Sequence, residues 1–464
     1  MARVFVLILA AAHAWAPESR LVDRSKYASS NYATGDGKRL ISDAPPSSSL
    51  VAATAPLVIG AAAAVMGAAY AAALRFALKL WQRAPAPWAI PCATAAGGAV
   101  VGALARRAPA FGVAGYIAAA RGARPFPEAR THLAPFLLTS LATTAFGFSV
   151  GPEAPMVVAG AMLGAAMGRR VGGRERDAAL AGAAGALTSF IDMPVAGAIF
   201  VVELLAPGAG LADDALPAAI LATVGASLAG AALAPHRPVG GHFDWGAVAR
   251  PPRWAYAAVA VPVGVAGAAV GELFVRGVAA LRRPLGRVPR PRVAAGLAVG
   301  LLGILYPQTL FWGETSLQNV VDGQASASVA PHGLLVPAAL TTRAVVDVAR
   351  PLTAAGAFQV GIAKLAAIAV AVAGGFPGGV IFPLFFAAGA LARGVSPLAP
   401  VVMCAMAAVQ ASVTRTPLAT VLMLALSARA SDLAALAPLC AVSAYVAVWT
   451  VRARGAPTFF AYGA

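Results

Sequence analysis

From residue 50 onward the chain is a succession of apolar blocks separated by short Gly, Pro and Arg breaks. The blocks run 50–80, 88–104, 136–148, 156–167, 178–190, 194–205, 216–233, 254–281, 293–305, 334–348, 358–373, 382–391, 401–413, 418–426 and 433–449. An α-helix rises about 1.5 Å per residue, so roughly 20 residues are needed to cross about 30 Å of hydrocarbon. Several blocks are too short for that. A helix that ends at membrane depth leaves main-chain groups unpaired, which is tolerated only inside protein. The pattern therefore predicts an all-α, multispanning membrane protein of short, broken helices. With 59% hydrophobic residues, only 11% charged and a mean hydropathy of +0.77, a soluble enzyme is excluded. Gly160 and Gly164 stand at the small-xxx-small spacing that lets such helices approach closely.

One break carries a carboxylate. The stretch Gly147-Phe148-Ser149-Val150-Gly151-Pro152-Glu153-Ala154-Pro155 leads into an apolar segment, and Pro155 suits a first helical turn, where its missing N–H removes no bond. Glu153 then sits at a helix N-terminus within an apolar run, where an acid is costly and marks a functional position. Free amides and the positive end of the helix dipole attract an anion there, and a tethered carboxylate can take the anion's place. A carboxylate that competes with a permeant anion is a gate.

A second element of this kind, Gly374-Gly375-Phe376-Pro377-Gly378-Gly379-Val380-Ile381-Phe382-Pro383, precedes the apolar segment 384–391, with Pro383 again at a helix start. Two interrupted segments at corresponding places in two halves predict a transporter-type site framed from both sides at the bilayer midplane. The least apolar break, 234–253, divides the chain into halves of about 50–240 and 250–464 within one membrane domain, 50–464.

The net charge of +17 does not point to nucleic acid, because Lys and Arg concentrate in the N-terminal segment and in the loops. Positive-inside topology accounts for them, and the same charges set up a field that draws anions toward the membrane. Cys92, Cys404 and Cys440 lie in apolar stretches without metal-ligand or disulfide spacing and read as small core residues. At the N-terminus, Met1-Ala2-Arg3, the short apolar run 4–12 and Ala12-His13-Ala14 read as a signal peptide over 1–14. Residues 15–49, opening on Trp15 and rich in Arg, Lys and Ser, resemble the second part of the bipartite presequences of algae with secondary plastids. A disordered luminal tail is the alternative. Plastid or thylakoid residence and endomembrane or plasma-membrane residence correspond to these two readings.

Other polar residues have plainer readings. Glu203 ends a helix, which suits structural hydrogen bonding. Asp192 precedes Pro194 and suits a helix cap. Glu272 fits an interfacial position, and Glu314 and Asp322 fit loops. Gly147-Phe148-Ser149-Val150-Gly151 also spells the GxSxG string of hydrolases. A serine nucleophile needs a base within reach, yet His132, His236, His242 and His332 all fall in polar or loop stretches. An intramembrane protease is thus a remote reading, as is a non-conducting structural subunit.

Taken in order, these motifs resemble the CLC family of chloride channels and proton/chloride exchangers across nearly all of residues 50–464. Residues 147–155 resemble its GxSxGREGP element, with Glu153 at the gating glutamate. Residues 191–203, Ile-Asp-Met-Pro-Val-Ala-Gly-Ala-Ile-Phe-Val-Val-Glu, resemble its FNAPLAGxxFxxE element. Tyr306-Pro307 through Gly313, then Lys364 followed by 377–383, and Arg415-Thr416-Pro417-Leu418 complete the series.

The resemblance implies a CLC-like fold of two inverted repeats and passage of small anions, chloride above all and other halides or nitrate besides, with no enzymatic activity. It implies a membrane-embedded homodimer, bound chloride rather than an organic cofactor, and no nucleic-acid partner. The chain stops at Ala464, so the C-terminal paired nucleotide-binding (CBS) modules of many relatives are not expected. The implied anion site comprises Phe111, Gly112, Val113, Ala154, Pro155, Val380, Ile381 and Phe459.

Departures accompany it. Pro109 to Gly115 offers no serine hydroxyl where the family has one, and Phe459 stands for a tyrosine. Pro152 replaces an arginine beside the gate. The proton-passing carboxylate of the exchangers maps to Leu204, which cannot relay a proton. Conduction and proton-coupled exchange both stay open.

Overall fold

The computed structural model describes residues 49–81, 89–170, 174–205, 215–233, 243, 253–322, 353–428 and 430–462. The expected signal peptide and nearly all of the presequence, the block 334–348 and most of the join at 234–253 lie outside them. The described residues are helical, without a named strand. In chain order the first half holds α1 (Ser49–Trp81), α2 (Ala89–Leu104), α3 (Val113–Ala120), α4 (Ala129–Ala145), α5 (Glu153–Arg170), α6 (Glu175–Ile191), α7 (Pro194–Glu203) and α8 (Leu216–Leu233). The second holds α9 (Arg253–Gly286), α10 (Pro291–Leu305), α11 (Leu317–Asp322), α12 (Ala354–Ala373), α13 (Ile381–Arg393), α14 (Ala399–Thr414), α15 (Pro417–Ser427) and α16 (Ala430–Ala453), ending on a 3-10 turn, Phe459–Tyr462.

Among the described residues five helices are long and apolar enough to span a bilayer: α1, α8, α9, α12 and α16. The short apolar helices α7, α13, α14 and α15 have most of their side chains buried in the molecule, where their ends find protein partners. Glycine sets the closest packing. A Cβ on Gly160 would lie 2.3 Å from the carbonyl oxygen of Gly182, and one on Gly164 2.0 Å from that of Ala178, so α5 and α6 meet backbone to backbone.

The halves repeat each other in local geometry. Gly147 and Gly375 both adopt positive φ, 83° and 78°. Each is followed at once by a phenylalanine and four residues on by Gly151 or Gly379, and α5 and α13 begin two residues later still. Likewise α6 and α14 both end on a left-handed non-glycine residue, Asp192 (φ 53°) and Arg415 (φ 63°), and a proline two residues on opens α7 and α15.

Several sequence expectations need correction. α5 and α13 begin at Glu153 and Ile381, so Pro155 falls in the first helical turn as expected, while Pro383, expected to start its helix, is likewise its third residue. No bond is lost, since amides throughout the first turn lack helical acceptors. α4 starts well before the apolar block because the polar stretch around His132 is itself helical, which removes His132 from a loop. Asp192 closes α6 in the left-handed conformation, and the residue capping α7 is Met193. Cys92 is exposed, whereas Cys404 and Cys440 are buried. Glu314 lies in a 3-10 turn and accepts a bond from Trp312 Nε1 at 2.9 Å, and Asp322 ends α11, so neither is a simple loop residue.

Candidate functional site

α4 ends at Ala145 and the chain reverses through Gly147, whose N–H donates to Thr144 O at 3.3 Å. The positive φ at Gly147 suits a residue without Cβ. The following segment crosses its counterpart from the second half. Gly151 N–H donates to Gly379 O at 2.8 Å and Gly379 N–H to Gly151 O at 2.5 Å, an isolated antiparallel bridge. Phe148 stacks on Phe376 with centroids 3.7 Å apart. The starts of α5 and α13 are thereby joined two residues before each helix.

Glu153 is wholly buried at this junction. A Cβ on Gly151 would meet its two carboxylate oxygens at 2.1 and 2.4 Å, and one on Gly379 would meet Oε2 at 2.3 Å and Ala154 N at 2.9 Å. Two glycines from different halves therefore make the space the side chain occupies. The main-chain N–H groups of Glu153 and Phe382 face the carboxylate without completing a hydrogen bond, and neither oxygen has a partner among the described residues. A buried acid without a fixed partner, set among helix-start amides, can exchange places with an anion at little cost in broken bonds.

Of the residues expected at the anion site, Glu153, Ala154 and Pro155 of α5 meet Val380 and Ile381 through the Gly151–Gly379 bridge. Gly112 precedes α3, which packs on α5, α6 and the C-terminal 3-10 turn. The Phe111 ring lies against Phe126 at 6.4 Å, with the Arg124 guanidinium 4.9 Å from its centroid. Phe459 stacks on Phe274 at 6.0 Å and meets Phe460 edge-on. Both rings thus have packing partners of their own.

Glu203 is committed elsewhere. Its carboxylate accepts from Leu418 N at 3.1 Å and Ala419 N at 2.9 Å, satisfying two free amides at the start of α15. That matches the structural hydrogen-bonding role expected from its place at a helix end. Leu204 is buried just beyond. The C-terminal end of α7 is held from α3: Tyr116 donates to Val201 O at 3.2 Å, and Arg121 donates to Leu205 O through Nε, at 2.9 Å, and Nη2. Glu272 pairs with Arg276 at 2.5 Å and Arg454 at 3.4 Å. Ser149 Oγ is buried without a hydrogen bond among the described residues, so no base is mounted on it as a serine nucleophile needs.

Two further buried groups lie near this junction: Tyr70, which was not singled out from sequence, and Lys364, which was named only as part of the family resemblance. The Tyr70 hydroxyl bonds Ser140 at 2.9 Å and Thr144 at 3.3 Å, against the last turn of α4. Lys364 Nζ donates to Phe311 O at 2.7 Å and Thr309 O at 3.1 Å. The hydroxyls gave no sequence signal, since Ser and Thr are common in apolar helices. An isolated lysine in the apolar block 358–373 was the signal for the second.

The sequence profile described as "Voltage gated chloride channel" matches residues 97–452. YfeO of Salmonella paratyphi A, named as an ion-transport protein, is 29% identical over 355 residues, covering 72% of this chain and 78% of its own. YfeO of Salmonella choleraesuis is 29% identical over 354 residues, with the same coverage. Among solved structures, a slow cyanobacterial Cl-/H+ antiporter superposes with a TM-score of 0.72 at 17% identity, over 89% of this chain and 96% of the other. A CLC-type fluoride/proton antiporter does so with a TM-score of 0.67 at 18% identity, over 86% and 96%. The chain belongs to the voltage gated chloride channel family and has the CLC fold. It is an integral, multi-pass membrane protein of anion transport.

Proposed function

We propose that the protein conducts chloride or another small anion across its membrane through a route closed by the Glu153 side chain. The burial of Glu153 where the starts of α5 and α13 are joined, in space made by Gly151 and Gly379, carries this reading. The anion would exchange water for the amides of Ala154, Val380 and Ile381, with Gly112 and Val113 contributing from α3. Weak binding at several points keeps it mobile. Pro155 has no amide to offer and serves the first turn of α5. Phe111 and Phe459 bring no hydroxyl, so main-chain groups do most of the coordination.

Proton-coupled exchange is the second reading, favoured by the names of the two solved antiporters that share the fold. Conduction is favoured by Leu204, which carries no proton, and by the engagement of Glu203 with α15. The deciding experiment is the reversal potential of purified protein in planar bilayers under a chloride gradient, with and without a pH gradient, for wild type and Glu153→Gln. A chloride Nernst potential indifferent to pH establishes a channel. A potential displaced by protons and returned to the chloride value in Glu153→Gln establishes an exchanger, and absence of current overturns the transport reading.

Two further proposals come from the sequence. A homodimer follows the family resemblance and is tested by cross-linking in native membranes. Plastid residence follows residues 1–49: a fluorescent protein fused behind that segment should reach the plastid of a secondary-plastid alga, and retention in the secretory path would overturn it.

A further inference from the structure

Lys364 is fully buried on α12. Its ammonium donates to the carbonyls of Thr309 and Phe311 and lies 5.3 Å from the centroid of the Phe386 ring on α13. None of the ion pairs among the described residues includes it. A cation in an apolar interior is expensive even when its hydrogen bonds are made, and retention there calls for a role.

Its acceptors lead directly to the gate. Phe311 is one of three non-glycine residues at positive φ among those described, at 59°. Such a conformation persists where surrounding contacts hold it. At Phe311 the carbonyl accepts from Lys364, and the N–H donates to Gly147 O at 3.0 Å. Gly147 opens the turn that carries Ser149, Gly151 and Glu153. Two hydrogen bonds, one on each side of the Phe311 Cα, thus link the Lys364 ammonium through a single residue of the loop to the base of the gate turn. Phe386 extends the same contact to α13, the other helix at the junction.

We propose that Lys364 is a positioning residue: its two hydrogen bonds hold the 309–311 loop in the strained conformation that fixes the turn bearing Glu153. The contacts exist whether or not anions move, so only the transport consequence rests on the function proposed above. The test therefore begins with a readout that does not require transport. In a background where Cys92, Cys404 and Cys440 are replaced, Ser149→Cys is a buried thiol within the gate turn, and its labelling by a water-soluble methanethiosulfonate reagent reports opening of that turn. Lys364→Met, which removes both donors, should accelerate labelling about tenfold, and Lys364→Arg, which keeps the charge and the donors, should leave it within about threefold. Should Lys364→Met not yield monodisperse protein, Lys364→Gln, neutral and one atom shorter, so that its donors are drawn back from both carbonyls, tests the same contact.

Labelling within about twofold of the parent in every neutral variant that folds overturns the proposal. Equal acceleration in Lys364→Arg also overturns it, because any change of shape would then suffice. Chloride flux measured on the same proteoliposomes should change in Lys364→Met and recover in Lys364→Arg. Wild-type protein without flux would count against the transport reading and leave the labelling comparison standing.

Discussion

Gly151 and Gly379 each donate a main-chain hydrogen bond to the other's carbonyl, at 2.8 and 2.5 Å, and so tie the two halves of the chain together at one point. Neither can carry a side chain while Glu153 lies where it does. The bridge and the Glu153 pocket are one construction: the bonds fix the starts of α5 and α13, and the missing Cβ atoms leave the volume that the carboxylate fills.

Gly151→Ala should therefore act through Glu153. The new methyl would fall 2.1 and 2.4 Å from the two carboxylate oxygens, and the side chain is the part able to move. Forcing it from its place should raise basal anion flux and cost about 1–3 kcal/mol of stability. Adding Glu153→Ala removes the clashing atoms, so the double variant should unfold in detergent close to where Glu153→Ala alone does. A double variant as unstable as the sum of the two singles would refute the arrangement.

Gly379→Ala should differ. Its Cβ would meet Glu153 Oε2 at 2.3 Å but also Ala154 N at 2.9 Å, and that amide belongs to the α5 backbone. Glu153→Ala should relieve only part of the cost. Denaturation midpoints of the two double variants, compared side by side, check this, and full rescue at 379 would show that the backbone gives way more easily than its bridge implies.

Glu203 is a stability residue in this fold. Removing its carboxylate leaves the N–H groups of Leu418 and Ala419 unpaired in a buried helix start, so Glu203→Ala should cost about 2–5 kcal/mol. Glu203→Gln retains an acceptor and should cost less than half of that. Thermal denaturation of the three proteins gives the ranking. If Glu203→Ala were as stable as wild type yet altered proton coupling in the bilayer experiment, the capping role would fail.

Much of this was legible in the residues. Breaks at Gly and Pro placed the helices, because glycine turns and first-turn prolines carry local information, and block length fixed the class, because short apolar helices need protein around their ends. The shared Gly-Phe and the following glycine in 147–151 and 375–379 marked where the halves correspond. What the sequence did not disclose is contact across the molecule. Nothing local to Glu203 says that its acceptors' partners are Leu418 and Ala419, more than two hundred residues on. Lys364 was legible as part of the family series, but its contact with Phe311 was not. Asp192 does cap a helix, but at the end of α6 rather than the start of α7: Asp suits both an N-cap and a left-handed residue, and the choice depends on how α6 ends.

That ending gives the last expected outcome. Asp192 at φ 53° and Arg415 at φ 63° stop α6 and α14 so that the prolines two residues later can start α7 and α15 in new directions. A left-handed residue with a Cβ costs about 1–2 kcal/mol, least for Asn and Asp and most for β-branched types. Asp192→Asn should accordingly be within about 0.5 kcal/mol of wild type and Asp192→Val about 1–2 kcal/mol less stable. Because α7 carries Glu203 onto α15, a shifted α6 terminus should also loosen that contact. Asp192→Val combined with Glu203→Ala should then lose less stability than the two losses added, whereas independent sites would add in full. Denaturation of the four proteins of this cycle measures the difference, and strict additivity would separate the left-handed turn from the capping of α15.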